Sequence, residues 1–111
     1  MTISTKLIDN AGAAAAFLMM MGNEKRLIIV SHLLHGEMSV GAIAEKVSLS
    51  QSALSQHLAK LRALDLVQTR RDRQMIYYSC KSDAVRALLQ MLDDVFGESE
   101  PAQPALRRTG T

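Results

Sequence analysis

The sequence is poor in aromatic residues, and tryptophan is absent. Phe and Tyr make up 4% of the 111 residues, although hydrophobic residues as a whole make up 48%. A globular core can therefore form, but it must be aliphatic, built from Leu, Ile, Val, Ala and seven Met. The length allows one domain and excludes a second, because a domain typically takes roughly 100 to 200 residues.

Cysteine and long apolar runs are scarce as well. Cys80 stands alone, which excludes a disulfide within the chain, and no secretory signal pattern opens the sequence. The longest apolar run, residues 13–21, has nine residues, whereas a membrane helix needs roughly 20. These absences predict a soluble protein of the reducing cytoplasm.

No residue arrangement typical of an enzyme is present. The sequence has no Gly-rich phosphate loop and no Cys-His arrangement, and its adjacent carboxylates, Asp93 and Asp94, lie beside a polar terminal segment rather than in an apolar context. We therefore expect no enzymatic activity and no cofactor.

Charge is distributed unevenly around a formal net charge of +2. Residues 56–73 carry five bases and two acids, a local charge of +3, whereas residues 83–100 carry five acids and one base, a local charge of −4. The basic block is the part that would approach a polyanion, and the acidic block would lie away from it.

Apolar spacing in the first third of the chain predicts two helices. Alanines and leucines at helical spacing predict one helix from Thr5 to Met21, ending near Gly22. Asn23 suits the N-cap of a second helix, which Gly36 ends. The apolar stripe expected on this second helix comprises Leu27, Ile28, Val30 or Ser31, and Leu34.

A helix-turn-helix pattern follows. Ser39 precedes about two helical turns, and Ser48 to Ser50 makes a short turn into the next helix, for which Ser50 is the expected N-cap. The apolar positions of that helix are Leu54, Leu58, Leu61 and Leu64. Its other face is left to Gln51, Ser52, Ser55, Gln56, Ala59 and Lys60.

Two β-rich runs and a last helix complete the pattern. Residues 66–70 and 75–80 flank the polar segment 71–74, which predicts a hairpin with a charged turn. Ser82 or Asp83 is expected to cap a helix that ends at Gly97. The apolar stripe of this helix comprises Val85, Leu88, Leu89, Leu92, Val95 and Phe96. The predicted fold is mainly α with a β-wing, a winged helix-turn-helix domain over residues 1–97, followed by a disordered tail over residues 98–111.

The helix beginning at Ser50 has the two faces of a DNA-reading helix. The major groove accepts one α-helix, which needs an apolar back and short polar side chains in front. The amides of Gln51 and Gln56 can pair with adenine, and Ala53 can meet a thymine methyl. Serines here can bind phosphates or bases, and His57 is expected either to pack behind the helix or to contact phosphate. The candidate contacts of this unit are Ser48, Ser50, Gln51, Ser52, Ser55, Gln56, His57 and Lys60.

The predicted hairpin tip carries Arg70, Arg71 and Arg73, whose guanidinium groups suit phosphate contacts or entry into the minor groove. Taken alone, a polar helix face or an arginine-rich turn is also typical of an ordinary solvated surface. The succession of helix, turn, polar-faced helix and basic hairpin favours DNA binding. A winged helix used as a protein-interaction module is the alternative, although a dense positive tip argues against it.

Several blocks of the sequence resemble the ArsR/SmtB family of bacterial repressors. They are residues 23–27 (NEKRL), 49–58 (LSQSALSQHL), 61–62 and 67–78, and Ser-Gln-Ser-x-x-Ser-Gln-His-Leu is the most specific. The resemblance extends over about residues 14–92 and is greater to the family's nodulation repressors than to its persulfide-responsive biofilm regulators. It implies an α-helical core, a β-wing, a homodimer through the first and last helices, and a palindromic operator in double-stranded DNA.

The distribution of apolar residues also favours a dimer. The Ala-rich first helix and the apolar stripe of the last helix offer more apolar surface than a small three-helix core can cover, and burial of that surface is favourable. The alternative is that these two helices pack on each other within one subunit.

Members of the family usually sense a metal or a thiol oxidant. The resemblance places metal-binding cysteines where this chain has Ser39 and Gly41, and the second family site needs histidines beyond Asp83, where there are none. We therefore expect both metal sites to be lost. A thiol-responsive repressor acting through Cys80, or a metal-responsive one acting through His32 and His35, is the alternative.

Overall fold

Helices and a small sheet alternate along residues 2–97, the part of the chain that the computed structural model describes. The helices are α1 (Thr5–Asp9), α2 (Ala11–Met21), α3 (Glu24–His35), α4 (Val40–Val47), α5 (Gln51–Ala63) and α6 (Asp83–Phe96). The strands are β1 (Met38–Ser39), β2 (Gln68–Asp72) and β3 (Met75–Ser79). This order confirms the predicted winged helix-turn-helix. The predicted tail, residues 98–111, lies outside the described residues.

The single helix predicted over the first segment is divided at Asn10. The backbone of Asn10 turns away from helical geometry, with φ −105° and ψ 19°, and its side-chain Nδ2 donates to the carbonyl of Lys6 at 2.9 Å. The backbone N–H of Asn10 donates to the same carbonyl at 3.0 Å, and asparagine side chains favour such local bonds at helix ends. The spacing of apolar residues gives no sign of such a break, so the prediction of one continuous helix was wrong at this point.

Side-chain caps fix where four of the helices begin. In each case a side-chain oxygen accepts from the backbone N–H three residues later, which satisfies a donor that the helix leaves free. The capping residues are Asn23 on α3, Ser39 on α4, Ser50 on α5 and Ser82 on α6, with distances of 3.1 to 3.2 Å. The caps predicted at Asn23 and Ser50 are confirmed, and of the two candidates for α6 the serine is the cap.

The core lies where α3, α4, α5 and α6 meet the base of the sheet. Leu54, Leu58 and Leu61 of α5 are fully buried, as predicted, but Leu64 is 40% exposed because it follows the end of the helix. The stripe predicted for α3 was partly wrong, since Ile29 joins Val30 among the buried residues. Four consecutive apolar residues, 27–30, cover more than one face of α3, so their spacing did not identify the buried one.

The sheet has the order β1-β3-β2 and is antiparallel throughout. Strand β1 has only two residues and was not predicted. Strand β2 continues through Asp72, so that only Arg73 and Gln74 lie between the hairpin strands. Arg70 and Arg71, predicted at the tip, therefore lie within β2, opposite Tyr77 and Ile76 of β3. Within residues 2–97, no helix is both long and apolar enough to cross a bilayer.

Candidate nucleic-acid interface

The turn between α4 and α5 holds the start of α5 in a fixed position. Ser48 adopts the left-handed conformation, with φ 55°, which a residue other than glycine rarely takes. The backbone N–H of Leu49 donates back to the carbonyl of Ala44 at 3.1 Å, and Ser50 then caps α5. The hydroxyls of Ser48 and Ser50 thus lie at an ordered, exposed helix N-terminus, a position suited to a phosphate.

Helix α5 has one buried face and one exposed polar face. Leu54, Leu58 and Leu61 attach it to the core, and Ala53 is half-buried. The side chains predicted to read or contact DNA are exposed along the opposite face, namely Gln51, Ser52, Ser55, Gln56 and Lys60. The structure brings these predicted residues together on one accessible surface.

His57 does not belong to that exposed face. Its ring is half-buried, and its Nδ1 accepts a hydrogen bond of 3.2 Å from the Nε of Arg26 on α3. A ring nitrogen that accepts carries no proton, so this imidazole is neutral with its hydrogen on Nε2. Burial lowers the pKa of His57 below its ordinary value, and the nearby charges of Arg26 and Lys60 lower it further. Of the two roles predicted for His57, packing behind the helix is the one that this geometry fits.

The lowered pKa of His57 makes the stability of the domain sensitive to acid. An unfolded histidine takes up its proton near pH 6.5, whereas the folded ring resists it, so the unfolded state binds more protons in the window below pH 6.5. Stability from this group is therefore complete above that pH and is lost as the pH falls towards the lower folded pKa. We expect the melting temperature of the wild type to fall further between pH 7.5 and 5.5 than that of His57→Asn.

The control for this measurement is His35→Asn, which removes an exposed histidine whose Nδ1 hydrogen-bonds the carbonyl of Ser31 on its own helix. Its melting temperature should follow the wild-type pH dependence. Thermal unfolding followed by circular dichroism at both pH values measures all three proteins. If the melting temperatures of the wild type and His57→Asn fall by the same amount between the two pH values, His57 is not the source of the acid sensitivity.

Arg70 of the wing is held by a carboxylate and an aromatic ring. Its guanidinium donates to both carboxylate oxygens of Glu37, the shortest contact being 2.6 Å, and lies 4.7 Å from the centre of the Tyr77 ring. The hydrogen bond from Arg70 lowers the pKa of Glu37. Sequence reasoning missed Glu37, because the pair is 33 residues apart and meets only when β1 joins the sheet.

Arg71 and Arg73 are the exposed cations towards the end of the wing. The Nε of Arg71 donates to the backbone carbonyl of Arg73 at 3.1 Å, which stiffens the turn. Arg73 itself takes φ 61° there. These two guanidinium groups, unlike that of Arg70, form none of the ion pairs found among residues 2–97.

Of the candidate sensor residues, His35 and Cys80 line the same cavity, and His32 lies three residues before His35 on α3. Cys80 is buried, and burial raises the pKa of its thiol, which disfavours the reactive thiolate. The Oγ of Ser39, at a position where the resemblance implies a metal-binding cysteine in other members, caps α4. Over the part of the chain described, no three His, Cys, Asp or Glu side chains group into a metal site.

Apolar side chains are exposed on the first two helices and on α6. They include Ile8 on α1, Leu18 and Met19 on α2, and Met91 and Phe96 on α6. Each of these side chains is at least half exposed. Exposed apolar side chains commonly mark a protein interface where they form a patch.

Comparison with known proteins agrees with this architecture. The family model for bacterial regulatory proteins of the arsR family matches residues 23–69, from the start of α3 into β2. The nodulation protein NolR of Rhizobium meliloti is 54% identical over 104 residues, which are 91% of this chain and 85% of NolR.

Solved structures give the same result. The crystal structure of NolR from Sinorhizobium fredii matches with a TM-score of 0.78 and 54% identity, covering 87% of this chain and 97% of that one. A homodimeric winged helix-turn-helix DNA-binding domain from Mycobacterium bovis, determined in solution, matches with a TM-score of 0.72 and 26% identity over 89% of this chain and 92% of that domain. This chain therefore belongs to the arsR family of bacterial regulatory proteins and is a DNA-binding transcriptional regulator.

Proposed function

We propose that this regulator is a homodimeric repressor that reads a palindromic operator with α5 and holds the flanking backbone with its wing. The observation that carries the proposal is the exposed polar face of α5, which the buried leucines and the Ser50 cap keep in place. A DNA-bound dimer of this size excludes polymerase from an overlapping promoter by occupancy, so repression needs no further activity.

The proposal divides the exposed residues into two groups. Base edges are read by hydrogen bonds and methyl contacts, for which amides and small side chains are suited. We assign this role to Gln51, Ser52, Ala53, Ser55 and Gln56. Phosphates are held by hydroxyls, helix N-termini and cations, which position the protein without reading sequence. We assign this role to Ser48, Ser50, Lys60, Arg71 and Arg73.

The homodimer rests on the exposed apolar side chains of α1, α2 and α6 and on the homodimeric domain from Mycobacterium bovis with the same fold. A two-fold partner would cover these side chains and would place two copies of α5 in successive major grooves, about 34 Å apart. Identity of 54% with the nodulation protein NolR leads us to propose nodulation genes among the targets.

Selection of bound sequences from random duplex DNA tests the proposal. We expect two enriched half-sites related by a two-fold axis, with centres about 10 base pairs apart. A transcription assay on a promoter overlapping that site should show less transcript when the protein is added. Failure to enrich any sequence, or enrichment of a single isolated half-site, would contradict the dimeric reading mode.

Replacing Arg73 by alanine tests the role of the wing separately. We expect affinity to fall by a similar factor for operator and scrambled DNA, because the interaction of a cation with phosphate is independent of sequence. The logarithmic salt dependence should become shallower by about 0.9 for each phosphate that is no longer neutralised, or roughly 2 for a dimer.

Arg86→Ala is the matched control, because Arg86 is an exposed arginine on α6, outside the candidate interface. Its salt dependence should equal that of the wild type. An unchanged slope in Arg73→Ala would remove Arg73 from the phosphate-binding residues.

A further inference from the structure

We propose that Arg26 and His57 are positioning residues for DNA reading, because the hydrogen bond between them sets the orientation of α5 relative to α2 and α3. The Nε of Arg26 donates to the Nδ1 of His57 at 3.2 Å, and the Nη1 of Arg26 donates to the carbonyl oxygen of Met20 at 3.2 Å. One guanidinium thus connects three helices. The inference rests on the proposed function and adds the residues that hold the reading helix in register.

Both the backbone and the side chain of Arg26 are fixed. Its backbone N–H donates to the capping side chain of Asn23 at 3.1 Å. The carbonyl of Met20 belongs to the last turn of α2, where helix carbonyls lack a partner within the helix, so Arg26 fills a vacant acceptor. A guanidinium is planar and presents its donors in a rigid fork. It therefore restricts the position of the His57 ring relative to the carbonyl of Met20.

The buried leucines attach α5 to the aliphatic core, and the hydrogen bond from Arg26 adds a restraint on the rotation of α5 about its own axis. Apolar contacts are non-directional, whereas a hydrogen bond has a preferred direction and distance. A rotation of about 20° moves a side-chain tip that lies roughly 6 Å from the helix axis by about 2 Å. Such a displacement breaks a hydrogen bond to a base edge. His57 directly follows Gln56, so the restraint acts next to the proposed reading amide.

The same hydrogen bonds link α5 to the surface proposed for dimerisation. Met20 lies in the last turn of α2, and neighbouring side chains of that helix, Leu18 and Met19, are among the exposed apolar residues. The distance and angle between the two reading helices of a dimer depend on how each α5 is held against its own α2. Loss of the bond from Arg26 to His57 should therefore reduce discrimination between operator and unrelated DNA, not the attraction to phosphates.

Binding of the full chain to its selected operator and to a scrambled duplex of equal length tests this inference. We expect His57→Phe and Arg26→Met each to lower operator affinity about tenfold, as for the loss of one directional hydrogen bond, with scrambled-DNA affinity within about twofold of the wild type. Arg26→Lys should behave like Arg26→Met, although it keeps the charge, because an ammonium lacks the rigid planar fork of donors that relates the two acceptors. The double variant should be no weaker than the weaker single variant, since both changes remove the same hydrogen bond.

Two further variants separate positioning from general structural damage. The amide oxygen of His57→Asn lies near the place of Nδ1 and can accept from Arg26, so this variant should keep operator affinity within about threefold of the wild type. His32→Phe makes the same exchange at a half-buried histidine of α3 that does not bond to Arg26, and it should bind as the wild type does. Circular dichroism melting establishes that each variant is folded.

The outcomes distinguish this inference from the proposed function. If the wild type enriches an operator and His57→Phe binds it normally, the positioning role is wrong and the proposed function stands. Equal losses on both duplexes, additive losses in the double variant, or failure of His57→Asn to retain affinity would also overturn the positioning role. If the wild type enriches no operator, both proposals fail together.

Discussion

Met91→Glu is expected to convert the proposed dimer to a monomer and to lower operator affinity by about 10² to 10⁴-fold, because binding of two linked half-sites gains that much over one. Met91 is 50% exposed and lies on the outward side of α6, between the half-buried residues Leu88 and Val95. An isologous interface would contain the new carboxylate twice, once from each subunit, and would desolvate both copies. The monomer itself should fold, since the wild-type side chain is outside the core.

Met75→Glu provides a matched control for oligomeric state. Met75 is 48% exposed, nearly the same as Met91, but it lies on the wing. Sedimentation equilibrium should find a dimer for Met75→Glu and a monomer for Met91→Glu at the same concentration. If both variants form dimers with the same subunit dissociation constant as the wild type, α6 is not part of the interface.

Gln56→Ala is expected to weaken operator binding by about 1 to 3 kcal/mol while leaving scrambled-DNA binding nearly unchanged. The side chain is exposed on the polar face of α5, and its amide has the donor and acceptor that adenine complements. Truncation removes that pairing without disturbing the buried leucines. Specificity should relax at the base pair that the amide contacts.

A competition titration of both duplexes against labelled operator measures this loss. Gln90→Ala serves as the control, because Gln90 lies on α6 and its side chain donates to Asp94 of the same helix. An equal loss on operator and scrambled DNA would exclude Gln56 from base readout and would place it among the phosphate-binding residues.

Local features of the sequence were sufficient to predict most of the fold. Capping residues such as Asn23 and Ser50 act on backbone groups three positions away, so their effect can be recognised from neighbouring residues. The two faces of α5 follow from helical spacing for the same reason. Periodicity was insufficient at Asn10, where the backbone leaves helical geometry and divides the first helix, and at Leu64, where the helix had already ended.

The candidate interface was predicted less completely. Spacing identified the exposed amides and serines of α5, but it could not distinguish those outward side chains from His57 and Arg70, which another element holds. Arg26 lies 31 residues from His57, and Glu37 lies 33 residues from Arg70. No regular spacing connects residues at such separations, since they meet only after α3 packs on α5 and β1 pairs with β3.

The sequence by itself thus determined the order of the helices, apart from the break at Asn10, and of the two hairpin strands. It also determined the starts of the capped helices and the residues that form the polar face of α5. These depend on interactions within a few positions along the chain. Only the tertiary structure decided that Arg70 is bound by Glu37 and that His57 is bound by Arg26. The physical reason is that a charged or polar side chain satisfies its hydrogen bonds with whichever partner the packing of distant elements brings within about 3 Å.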